Sequence, residues 1–264
     1  MQGSVIMKQR ILMGVLLAIL FLIPFTIGGH VFTYLTLALA LIAFYEFSTI
    51  IKIRMFGTKW FVGSLGVILL FSPLLFGGTS QFQIRVLLAL VIFFITTTVF
   101  NKGFSIEKAG TVLIGVLYLG FGFESLAEAR IEKGVIWTFV VLLTIWSTDS
   151  GAYFIGKKFG KHKLAAAISP NKTIEGATGG IITALVIGFA LHSILDAYQS
   201  YIHTLVITLV VSIAGQVGDL VESGLKRHYG VKDSGNIFPG HGGVLDRLDS
   251  WIFVFLGLKL IGVL

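Results

Sequence analysis

"YIHTLVITLVVSIAGQVGDLVE", residues 201–222, decides the fold. The run holds no Lys, Arg, Asp or Glu before Asp219, close to its end. About 20 consecutive apolar residues in a helix cross the hydrocarbon of a bilayer. Runs of this kind recur along the whole chain. Its 264 residues have a mean hydropathy of +0.92, and 12% of them are charged. A soluble domain carries roughly a quarter. Short alternating strands, the mark of a membrane β-barrel, are not seen. The chain has no Cys, which excludes disulfides, thiolate metal sites and thiol nucleophiles.

Apolar segments fall at about 11–28, 31–51, 60–77, 84–100, 109–123, 135–155, 177–195, 201–222 and 246–264. The predicted fold class is all-α: a polytopic integral membrane protein of about nine transmembrane helices. Placing the N-terminus in the cytosol puts sixteen of the 20 Lys and Arg on the inner side. Arg85, Arg130 and Lys133 fall outside, and Lys259 lies within the last span. This asymmetry sets the orientation, with the C-terminus outside. It also accounts for the +7 formal charge without nucleic acid. The expected location is the cytoplasmic (inner) membrane, multi-pass.

Carboxylates near the inner ends of apolar helices are costly to bury and are usually functional. Asp149, Asp219, Glu222, Asp246 and Asp249 all lie in the second half of the chain. The first five spans hold almost nothing reactive. Glu46, at the inner end of the second span, reads as structural. Residues 1–134 are therefore expected to be a membrane scaffold of about five helices. Residues 135–264 are expected to be a catalytic membrane domain of about four helices with two cytosolic active-site loops.

Those loops carry the dense polar sequence, "STDSGAYFIGKKFGKHKLAAAISPNKTIEG" (147–176) and "GDLVESGLKRHYGVKDSGNIFPGHGGVLDRLDS" (218–250). Asp219 and Glu222 are three apart, as are Asp246 and Asp249, and i,i+3 residues share a helix face. Two helices offering carboxylates suit a hard cation. The His residues lack zinc spacing, so Asp219, Asp246 and Asp249 point to Mg²⁺. A helix-capping role for Asp246 is the alternative. Lys226, Arg227, Lys232 and Arg247 interleave with the acids, a pattern suited to polyphosphate. Lys157, Lys158, Lys161 and Lys163 fit simple inner-side charge. Gly242 and Gly243 beside His241 permit close approach of backbone N–H groups to an anion, or a tight turn. Lys172 and Thr173 close "SPNKT" (169–173), a phosphate-compatible turn. "GAYFIGKK" (151–158) only resembles a P-loop: Lys158 stands where a hydroxyl is required, and an apolar helix rather than a strand precedes it.

The series Ser223-x-Leu225-Lys226-Arg227, Lys232-Asp233 and Pro239-x-His241-Gly242-Gly243-x-x-Asp246-Arg247-x-Asp249 resembles the motif of the phosphatidate cytidylyltransferases, or CDP-diacylglycerol synthases. "TDSGAYFIGKKFGKHKL" and "ISPNKTIEG" are similar to that family too. Ala165-Ala166-Ala167 stands where many relatives would carry a proline. The resemblance implies transfer of CMP from CTP to phosphatidic acid, giving CDP-diacylglycerol and pyrophosphate. It also implies Mg²⁺, a second cation as an open alternative, membrane lipids around the chain, and a homodimer. Asp219, Asp246 and Asp249 would hold the metal. Lys172, Lys226 and Arg227 would neutralise phosphates, and Ser223, Thr173 and His241 would hydrogen-bond them. Asp149 would be a supporting or cytosine-facing group.

Two rival readings have distinct signatures. An ion-coupled transporter also uses intramembrane carboxylates, but with polar breaks in both halves. A CDP-alcohol phosphotransferase would carry D-x-x-D-G-x-x-A-R, which the chain lacks.

Overall fold

The structure is a computed structural model, and it describes residues 2–237 and 242–264, with side chains from Met13 onward. His241, one of the residues singled out from the sequence, lies outside the described residues. The helices are α1 (Gln2–Ile27), α2 (Gly29–Ile50), α3 (Thr58–Leu70), α4 (Ser72–Phe76), α5 (Ser80–Phe100), α6 (Ile106–Glu132) and α7 (Gly134–Phe159). After strands β1 (Lys163–Ala165) and β2 (Ser169–Thr173) come α8 (Ile174–Leu195), α9 (Tyr201–His228) and α10 (Leu245–Leu260). The protein is a helical, multi-pass membrane protein. Among the described residues, α2, α5, α6, α7, α8 and α9 are long and apolar enough to cross a bilayer.

The departures from the sequence reading have local causes. The apolar segment at 60–77 is broken after Leu70 because Pro73, which has no N–H to donate, opens a new short helix. Gly77, with φ of 67°, ends that helix in the left-handed region. Helix α6 continues well past 123, through residues read as an outer loop. Glu124 is buried, and Glu128 meets the Lys259 ammonium at 2.7 Å, which compensates the cation inside the last apolar run. Part of the loop before α8 is a two-stranded antiparallel hairpin, with Lys163 opposite Thr173 and Ala165 opposite Ser169. Ala166, Ala167 and Ile168 supply its turn, closed by Ile168 N donating to the Ala165 carbonyl at 3.1 Å.

The chain folds as two compact units, Met1–Ala127 with Val231–Arg247, and Glu128–Gly230 with Leu248–Leu264. The first has a core of buried aromatic rings, among them Phe32, Phe44, Phe47, Phe71 and Phe94. In the second, α7, α8 and α9 pack against each other. Their approach depends on glycine. A Cβ on Gly176 would meet the Ala152 carbonyl oxygen at 2.8 Å and Gly156 Cα at 3.0 Å. A Cβ on Gly218 would meet the Asp249 carbonyl oxygen at 2.8 Å, so the absence of a side chain there lets α10 lie directly on α9 beside Asp219.

Candidate functional site

Two groups of carboxylates, one in each unit, contain most of the residues singled out from the sequence. The group in the second unit centres on Asp219, in the last turns of α9. Its Oδ2 meets the Lys172 ammonium at 2.6 Å, and its Oδ1 accepts a hydrogen bond from Ser223 Oγ at 3.3 Å. The Asp219 side chain is 39% exposed, so it is held in place and still reachable. Asp149 on α7 and Asp249 on α10 both lie within electrostatic reach of Asp219 and Lys172. Lys226 acts on Asp249 in the same way. Three helices and the hairpin thus bring Asp149, Lys172, Asp219, Ser223, Lys226 and Asp249 together. The charges are mixed, with three acids against two cations. Such a surface holds an anion and a divalent cation together better than either alone.

The rest of this unit secures that group. Lys226 pairs with the buried Glu222 one turn earlier at 2.5 Å, so a cation deep at the end of α9 is compensated. Arg227 donates from Nε to the Ile168 carbonyl at 3.4 Å, tying α9 to the hairpin turn. Thr173 caps α8: its hydroxyl accepts from Gly176 N at 3.1 Å. A hydroxyl keeps its own proton while accepting, so Thr173 can still donate. Glu175, in the first turn of α8, accepts from the backbone N–H groups of Lys161 (3.0 Å) and His162 (3.2 Å) and closes the hairpin mouth. The hairpin therefore serves to hold Lys172 against Asp219.

The group in the first unit centres on Asp246 at the start of α10. Three donors converge on its Oδ2, each at 2.9 Å: Ser234 N, Ser234 Oγ and Gly243 N. Gly242 has φ of 80°, a left-handed angle that turns the chain into the helix. The N–H of Gly243 thus meets a carboxylate of the chain itself. Glu46 of α2 completes the arrangement. It is 1% exposed and accepts from Val244 N at 3.0 Å, Leu245 N at 2.9 Å and Ser234 Oγ at 3.1 Å. The one hydroxyl proton of Ser234 is shared between two carboxylates, while its oxygen accepts from Asp246 N at 3.3 Å. Gly235 is required here, since a Cβ on it would meet Glu46 Oε1 at 2.6 Å.

Glu46 was read from the sequence as structural, but its partners could not be named there. Its partners lie 188 to 199 positions away in the chain, beyond any spacing rule. The available signal was a carboxylate near the end of an apolar helix, with Lys52 the nearest Lys or Arg in sequence. Lys232 and Arg247 are exposed. Among the described residues, no three His, Asp or Glu side chains converge closely enough to form a metal site by themselves.

The whole chain has known relatives. Residues 8–263 match the model of the Cytidylyltransferase family. A phosphatidate cytidylyltransferase of Bacillus subtilis (strain 168) is 44% identical over 257 residues, covering 94% of each chain. Phosphatidate cytidylyltransferases of Staphylococcus aureus (strain COL) and Staphylococcus saprophyticus are 41% and 39% identical over 260 residues, covering 98% of each chain. With the motif residues gathered around Asp219 and Asp246, and a match running nearly end to end, this chain belongs to the Cytidylyltransferase family.

Proposed function

We propose that this protein is a phosphatidate cytidylyltransferase: it transfers CMP from CTP to phosphatidic acid, forming CDP-diacylglycerol and releasing pyrophosphate. The observation that carries the reading is the Lys172–Asp219–Asp249 group, in a chain matched over 94% of its length by relatives of that name. A phosphate oxygen of the lipid attacks the α-phosphorus of CTP. The bond from that phosphorus to the bridging oxygen breaks, and pyrophosphate leaves with the electron pair. The attacking oxygen is already ionised, so no strong base is needed. The obstacle is charge: two unit charges 4 Å apart repel by about 4 kcal/mol at an effective dielectric of 20. The chain's own cations offset this. Lys172 and Lys226 sit among the acids of the group, and Arg227, Lys232 and Arg247 add positive charge for the phosphates. Ser223, Thr173 and His241 donate hydrogen bonds to phosphate oxygens. Asp149 faces the cytosine or braces Lys172.

The acids suit Mg²⁺. Asp219 already holds a cation, the Lys172 ammonium, at 2.6 Å, and Asp249 lies within its electrostatic reach. Magnesium is usually bound by one or two carboxylates plus substrate phosphates and water, so it does not need a closed protein cage before CTP arrives. Asp219 and Asp249 would hold it; Asp246, read from the sequence as a third ligand, instead anchors the start of α10 through the donors on its Oδ2. Bound there, the ion would screen the phosphates, and a second cation has the same donors available. The active site faces the cytosol of a cell membrane, as the positive-inside pattern supports, and nine spans leave the C-terminus outside. The second half of the chain carries the chemistry on the scaffold of the first, and the protein works as a homodimer. Membership of this family disfavours the transporter reading.

The test is turnover in detergent micelles with radiolabelled CTP and phosphatidic acid. Lipid-extractable cytidine label that needs both Mg²⁺ and phosphatidic acid, and disappears in Asp219→Ala, is the expected result. Label of equal yield without phosphatidic acid, or none from folded protein under any divalent metal, would refute it.

A further inference from the structure

The first unit holds a second polar feature that the reaction does not use. A cavity of about 710 Å³ opens between the α2–α3 connection, the last turns of α5 and the α5–α6 connection. Four cations line it: Lys52, Arg54, Lys59 and Lys108. Among the described residues, none of the four is paired with a carboxylate. Lys59 and Lys108 act on each other electrostatically, and the Lys59 ammonium stands 4.1 Å from the centre of the Phe104 ring. The connection that wraps the cavity is held in an unusual backbone. Lys52 and Phe56 both have positive φ, 57° and 56°, although neither is glycine. Left-handed angles at such residues cost free energy and tend to persist at ligand sites.

The remaining wall mixes aromatic rings with Thr58, Thr96, Thr97 and Asn101. Phe93 and Phe100 of α5 line the cavity, and Phe100 is 85% exposed on a helix long and apolar enough to span a membrane. Simple snorkelling of lysines to the interface explains cations at helix ends. It does not explain four that share one cavity with no acid among them and a greasy mouth beside them. Basic pockets between membrane helices on the cytoplasmic side are where anionic head groups dock.

We propose that this cavity binds the phosphate of an anionic phospholipid, with Lys59 and Lys108 on the head group and an acyl chain along Phe100. The recognised chemistry is a phosphate ester, which a soluble phosphate also presents. The exposed apolar face at the mouth favours the lipid. The proposal is independent of the reaction, since none of these residues was assigned to it.

The test titrates purified full-length protein in neutral detergent with micelles containing phosphatidylglycerol, phosphatidylcholine or neither plus free pyrophosphate. Phosphatidylglycerol should bind more tightly than phosphatidylcholine, and K59Q/K108Q should weaken it about 30-fold, roughly a factor of five per cation removed. Asp219→Asn should leave that binding unchanged, which separates the cavity from the acidic group. Should the double variant fail to fold, F100W supplies the readout. Its fluorescence should be quenched more by brominated-acyl phosphatidylglycerol than by the brominated phosphatidylcholine. Equal binding or equal quenching by the two lipids overturns the proposal. So does phosphatidylglycerol binding that ignores K59Q/K108Q. Pyrophosphate binding that depends on Lys59 and Lys108 while the lipid does not would assign the cavity to soluble phosphate and overturn the lipid.

Discussion

Asp219 and Asp246 look alike in sequence, each an acid at the membrane edge of a helix with a second acid three residues on. Their surroundings differ. Asp246 sits in the first unit with three hydrogen-bond donors of its own segment on one oxygen. Asp219 sits in the second with a lysine on one oxygen and a serine on the other, and remains part-exposed. The companions differ too. Glu222 is buried against Lys226, whereas Asp249 lies within reach of Asp219. Spacing puts two acids on one face; it does not say which acid holds the fold and which is left for chemistry. The donors decide that. Backbone N–H groups fix a carboxylate as an anchor, while flexible ammonium groups leave it exchangeable for a metal or a phosphate-bound cation.

The sharpest way to break this contrast is to remove each acid in turn. Asp219→Ala should cut turnover by about 10²–10³-fold, the loss typical when a group facing transition-state charge is deleted. It should leave thermal unfolding almost unchanged. Asp246→Asn should lower both. An amide cannot accept three donors as a carboxylate does, and hydrogen bonds to charged groups are worth about 1.5–3 kcal/mol each. Unfolding scans beside turnover assays check the pair. Equal loss of stability in the two variants would erase the distinction between anchor and site.

Glu46 sharpens the same contrast at smaller scale. Glu46→Gln keeps the shape but turns an amide N–H₂ toward groups that are themselves donors. Turnover should fall by about tenfold, with stability down by roughly 1–3 kcal/mol, the cost of a buried polar group left unmatched. Gly235→Ala would press a methyl on the same carboxylate. Residues that share one contact do not add. The double variant should therefore be little worse than the poorer single one. Fully additive losses in unfolding free energy would show that the two positions act separately.

The sequence made the helices legible because apolar length is a local property. Helix α9 could be read from residues 201–222 alone, although it runs six residues further, to His228, because Glu222 and Lys226 compensate each other inside it. Charged residues ended the sequence reading at 123 in α6 for the same reason, where Glu124 is buried and Glu128 finds Lys259. The grouping of Lys172 with Asp219 was expected only as two polar loops facing one compartment. The hairpin that brings them to 2.6 Å depends on pairing across a turn of Ala166, Ala167 and Ile168, and its alanines carry no strong strand signal. Glu46 was hidden because its partners come from the far end of the chain.

The contact between Lys172 and Asp219 offers the finest test of an exchangeable carboxylate. If the ammonium occupies the position that a divalent cation takes during turnover, lysine and metal compete for one oxygen. Lys172→Gln would then have two opposed effects. Removing the cation weakens the hold on the CTP phosphates, so KM for CTP should rise, by about tenfold. Freeing Asp219 should at the same time lower the Mg²⁺ concentration needed for half-maximal activity, by about threefold. These are modest shifts, as expected for a part-exposed pair whose contribution in water is of the order of 1 kcal/mol. Titrating Mg²⁺ at saturating CTP separates them. A half-saturation point that stays fixed, or moves upward, would mean that Lys172 and the metal act on different oxygens. Asp219 would then be a structural anchor like Asp246.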